Sequence, residues 1–71
     1  MECRVELKSV ERIDERSLIR FEVDHEAVGK LEIEVKVEAM SGHQAAEQGR
    51  QKLHEFAIAL AHAAENLKPH I

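Results

Sequence analysis

The stretch KLEIEVKVEAMSGHQAAEQG, residues 30 to 49, changes its period at Ser41, and that change decides the fold. Before Ser41, the apolar residues Leu31, Ile33, Val35, Val37 and Ala39 alternate strictly with Lys30, Glu32, Glu34, Lys36 and Glu38. An extended chain with this pattern has one apolar and one charged side. At Ser41 the alternation stops, and Gln44 follows at capping-box spacing, where the serine oxygen and the glutamine amide satisfy early helical donors. The spacing predicts a helix from about residue 42 to about residue 66, which Pro69 forbids from running much further. Such a helix is roughly 36 Å long, and a strand from Lys30 to Met40 is roughly 37 Å, so the helix is expected to lie along the whole strand.

Upstream, CRVEL places Cys3, Val5 and Leu7 on one side and Arg4, Glu6 and Lys8 on the other. Val10 and Ile13 do not continue that phase together, which calls for a bulge near Ser9 or an early turn. The polar IDERS reverses the chain, and LIRFEVD then sets Ile19, Phe21 and Val23 inward and Arg20, Glu22 and Asp24 outward. Short connections between three half-apolar strands imply an antiparallel meander with one wet face. The expected fold class is therefore α+β: a three-stranded antiparallel meander followed by one long C-terminal helix packed on one face (βββα). Residues 1 to 71 are expected to form a single domain with Val35 and Val37 in its core. On the wet face, acids and bases are interleaved, as in a solvated surface held by cross-strand pairs.

The helix has more apolar surface than one sheet requires. At about 100° per residue, Ala46, Gly49, Leu53, Phe56, Ala57, Leu60, Ala64 and Leu67 form one stripe, expected to cover the sheet, in which Gly49 marks either a close approach to a strand or a glycine that the helix merely tolerates. Nearly opposite runs Glu47, Gln51, His54, Ile58, Ala61 and Glu65, with His62 beside it, a line apolar only at its centre. A chain of 71 residues buries only about 60% of its unfolded surface. Domains this small usually lean on disulfides, metal or a partner subunit, and Cys3 is the only cysteine.

A homo-oligomer, with a dimer favoured, is therefore expected, and its interface residues are His54, Ile58, Ala61, His62 and Glu65. A symmetric pair uses one patch twice. Helices crossing antiparallel at Ile58 would set His54 opposite His62 of the partner subunit, and Gln51 opposite Glu65 of the partner subunit. The alternative is edge-to-edge pairing of third strands. Ile58→Asp separates the two, since helix pairing should fail and edge pairing should survive.

Chemistry is sparse. Of the five histidines, His54 and His62 lie about two helical turns apart and cannot share an ion within one chain. Across the dimer they would meet with Glu65 nearby, but ordinary surface histidines are the reading retained, with neither metal nor cofactor expected. His25 is assigned to the turn before the third strand; His43 at the helix start and His70 in the tail have no convergent partner. The serines lack a nucleophile-elbow context and the three glycines are isolated, so neither a hydrolase nor a phosphate loop is indicated, and the chain is not expected to be an enzyme.

Three strands followed by a helix resemble the later part of a double-stranded-RNA-binding domain. That family grips phosphates with a lysine cluster at the start of its last helix, where this chain has SGHQAAEQGR, and nucleic-acid binding is not expected. The formal net charge of −4 points the same way, as do Phe21 and Phe56, both read as core rather than as stacking platforms. The element order also loosely resembles small antitoxin domains of the HicB type, but their Pro and Gly-Cys loop is absent before Ser41 and no family is assigned. No signal-like or membrane-spanning apolar run appears in the sequence, and a cytoplasmic location is expected. The function expected is that of a self-associating protein-interaction module. The alternative is a ligand-binding or carrier protein with a pocket at the subunit interface.

Overall fold

The computed structural model describes residues 2–38 and 41–69. Strands β1 (Cys3–Ile13), β2 (Arg16–His25) and β3 (Gly29–Val37) form an antiparallel sheet in the order β1-β2-β3, and helix α1 (Gly42–Glu65) follows. The architecture is the α+β, βββα arrangement that the alternations imply. Ala39, read as the last inward residue of the third strand, lies outside the described residues.

The register explains the broken phase of the first strand. Leu7 opposes Phe21 while Ser9 opposes Arg20, so Lys8 is the extra residue of a β-bulge. The bulge moves the apolar side from odd to even positions: Val10 joins the face of Ile19, and Ile13 turns to the charged face. The β1-β2 turn is only Asp14 and Glu15, with Asp14 at φ 57°, a left-handed conformation that Asp tolerates better than most residues. Asp14→Gly is expected to raise the melting temperature by a few degrees, about 0.5–1 kcal/mol, and Asp14→Val to lower it, as thermal denaturation would show.

Between β2 and β3, the Val28 N–H donates to the His25 carbonyl at 3.2 Å and Gly29 sits at φ 90°, a turn closed by a left-handed glycine. The His25 Nδ1 accepts from the Ala27 N–H at 3.1 Å, so this histidine shapes the turn.

The helix begins where its cap predicts. Ser41 is extended, its Oγ accepts from the Gln44 N–H at 3.2 Å, and its carbonyl takes the Ala45 N–H at 2.9 Å. Ser41→Ala is expected to cost about 1 kcal/mol, read as a lower urea midpoint with unchanged slope. The helix ends on Asn66, whose backbone N–H and side-chain amide both donate to the His62 carbonyl.

The core lies at the sheet end nearest the helix start. Ile19, Phe21, Val37 and Ala45 are buried together, with Val35 and Leu53 packed against them. Of the two readings of Gly49 the fold has the close approach, since a Cβ there would stand 3.1 Å from the Ile19 Cγ1. Two details differ from the sequence reading. Ala45 rather than Ala46 is the fully buried alanine of the first turns. Leu18, on the charged side between Glu11 and Lys36, is also buried, because a central strand shields even its outer residues.

Candidate functional site

The outer face of the sheet is an ion-pair lattice. Glu6, Glu22 and Glu32 stand opposite one another across the three strands, a like-charge row that is unfavourable by itself. Flanking cations offset it: Lys8 lies 2.9 Å from Glu6 and 3.9 Å from Glu22, Lys30 lies 3.8 Å from Glu22, and Arg20 lies 3.2 Å from Glu34 and 3.8 Å from Glu32. The Lys8 ammonium holds the Glu6 carboxyl below the usual carboxylate range, and the same contact raises Lys8. On the helix, Arg50 at 2.6 Å lowers Glu47 in the same way and is itself raised. A carboxylate lowered in the folded state contributes stability above its unfolded pKa and loses it as pH falls through the folded value. All four groups are in open solvent, where salt screens such pairs.

The opposite face departs from expectation. The helix touches all three strands, β3 most, then β2, then β1, but it does not stay packed along the whole of β3. Only its first half is covered. Ala45 and Gly49 are buried and Leu53 is half-buried, but every described residue from His54 onward is exposed. The stripe expected to cover the sheet therefore does so only as far as Leu53. Phe56 is 47% exposed, Leu60 54% and Leu67 71%, although they continue the line of Gly49 and Leu53 without a break in phase. Phe56, read as core, is not core.

The sheet shows the matching deficit. Val5 opposes Val23, which opposes Leu31, and Leu7 opposes Phe21, which opposes Ile33, forming two apolar rows on the helix side of the sheet. No helix residue after Leu53 is buried against these rows, and Val5 and Leu7 are each 49% exposed. Cys3 is on the expected side but exposed.

The contact residues expected from the sequence are all on this uncovered half-helix. His54, Ile58, Ala61 and Glu65 follow at alternating steps of four, three and four, one narrow line, and all are exposed. His62 lies beside the line with its Nε2 3.4 Å from the Asn66 side-chain amide, so part of its surroundings belongs to the helix end. The residues that sequence reasoning missed as surface are Phe56, Leu60, Val5 and Leu7. Their alternation and spacing say that each side is apolar, and nothing in a one-dimensional pattern says which other element covers it.

A shallow depression of about 680 Å³ at the β1-β2 turn is lined by Ile13, Asp14, Glu15, Arg16, Ser17, Leu18 and Lys36, a mixed-charge rim around one buried leucine. Among the described residues, no group of three or more His, Cys, Asp or Glu is placed to hold a metal ion. No helix of the described residues is long and apolar enough to cross a membrane. Comparison with known proteins returns no matching family model, curated protein or solved structure.

Proposed function

We propose that this chain is a small non-enzymatic interaction module that associates with copies of itself, most simply as a homodimer, and works through the surface that assembly creates or displays. The carrying observation is the surplus of open surface. The chain exposes 5978 Å², whereas a compact monomer of 8.1 kDa exposes about 4500 Å². Its radius of gyration is 14.1 Å, against about 11 Å for a compact domain of this length. The excess, about 1500 Å², exceeds the roughly 800 Å² that each partner contributes to a standard protein interface. Much of it is apolar, since the open half-helix carries Phe56, Ile58 and Leu60, and Leu67 follows its end.

The module needs neither nucleic acid nor membrane, consistent with its acidic charge and interleaved outer face. A cytoplasmic, reducing setting would keep the exposed Cys3 a thiol. His54, Ile58, Ala61, His62 and Glu65 lie on the half-helix that this reading assigns to assembly.

Sedimentation equilibrium of the untagged chain at micromolar concentration, near neutral pH and with chelator, is expected to return twice the chain mass or a higher multiple. The monomer mass would overturn the proposal. The reading that competes with it is a ligand-binding or carrier protein with a pocket at the subunit interface. Native mass spectrometry is expected to show subunit masses with nothing added, and a co-purifying adduct would favour the carrier.

A further inference from the structure

The two uncovered surfaces are complementary in chemistry and in length. The half-helix from His54 to Glu65 spans about 18 Å at 1.5 Å per residue, and the open end of β1 from Cys3 to Leu7 spans about 17 Å at 3.4 Å per residue. The stripe on that half-helix is the continuation of the one that already packs on Ile19 through Gly49, so it is built for the apolar side of a sheet of this kind. The chain's own helix is buried on the sheet only as far as Leu53, so its second half, and Val5 and Leu7 on the sheet, stay exposed. A two-fold pair satisfies both twice.

We propose that the second copy docks by exchange: the half-helix of each protomer lays Phe56, Leu60 and Ala64 onto the exposed apolar residues of its partner's sheet, around Val5, Leu7 and Leu31. This inference rests on the self-association reading and specifies its contact. It replaces the crossing of two helices at Ile58, which would leave both the Leu60 stripe and the Val5 row in water. In the exchanged pair Ile58 faces away from the contact, because it lies about 160° around the helix from Leu60.

The test compares Val5→Glu, Leu60→Glu and Ile58→Asp by sedimentation and native mass spectrometry, with far-UV circular dichroism confirming that each folds. Leu31→Glu is a second sheet variant should Val5→Glu not fold. Val5→Glu and Leu60→Glu are each expected to weaken dimerisation at least about 100-fold, because every dimer carries the new charge in both contacts. Ile58→Asp is expected to stay within about 3-fold of the unaltered chain. Mixing the two dissociated variants is expected to restore a heterodimer, in which one of the two contacts has native residues on both sides.

A dimer broken by Ile58→Asp but not by Leu60→Glu overturns the exchange and leaves self-association standing through the helix crossing. A dimer indifferent to all three variants overturns it in favour of edge-strand pairing. An unaltered chain that sediments as a monomer overturns both this inference and the proposed function.

Discussion

Ile19→Ala is expected to destabilise the fold more than any other single truncation, by about 2–5 kcal/mol. Ile19 is fully buried at 0% exposure and is the largest side chain so placed among the described residues. It sits on the central strand, opposite Val10 on β1 and Val35 on β3, and directly under Gly49 of the helix. Losing it opens a cavity at the one place where all four elements meet. Domains hold about 0.05–0.15 kcal/mol of stability per residue, which for this length is about 4–11 kcal/mol, so the loss consumes a large part of the total. A drop of about 3 kcal/mol lowers the melting temperature by about 12–24 °C in a domain of this size. Thermal denaturation followed at the helix signal is the check, at one protomer concentration, because association also raises the midpoint. A shift of only a few degrees would mean that the Ile19 cluster is not the core.

The second large effect is at Gly49. Gly49→Leu is expected to cost about 1–3 kcal/mol, because the added side chain has nowhere to go. A Cβ at this position would already lie 3.1 Å from the Ile19 Cγ1 and 3.3 Å from its Cβ and Cδ1. Gly49→Ala is a different case. Alanine gains up to about 1 kcal/mol of helix propensity over glycine, and the isoleucine has to yield only a few tenths of an ångström, so the change is expected to be near zero. The two positions should couple: in an Ile19→Val background, which removes the Cδ1 methyl, Gly49→Ala is expected to become more favourable by about 0.5 kcal/mol or more. Urea denaturation of the four-member cycle reads this directly. Simple additivity would show that helix and sheet are not in register contact there.

Both positions are legible in the linear chain. A glycine in the middle of an apolar stripe is either a close approach or a tolerated residue, and Gly49 does meet Ile19. Alternation assigns Ile19 and Phe21 to the core and the Ser41 cap locates the helix start, as the fold has them, while the disrupted phase after Leu7 leaves a bulge near Ser9 or an early turn open, and the register has the bulge. Each of these is a local property. A strand's faces follow from its period of two, a bulge from a slipped phase, and a cap from the donors that a helix end leaves open.

The departures have a different origin. The stripe through Leu53, Phe56 and Leu60 has the phase to cover its own sheet throughout, yet burial stops at Leu53. Val5 and Leu7 are on the expected side of β1 but are each 49% exposed. Leu18 is outward by alternation and buried all the same, since its depth comes from being central in the sheet rather than from its face.

The elements, their order, their apolar sides and the helix start are thus written in the amino-acid sequence, because they depend on residues within a few positions of one another. The packing of the helix on the sheet at Gly49 and Ile19, which ends at Leu53 and leaves the second half of the helix and Val5 and Leu7 exposed, is a property of the packed molecule alone. The reason is that hydrophobic burial has no direction. An apolar stripe records that it must be removed from water, whereas the angle of one packed contact determines how much of it one chain can hide.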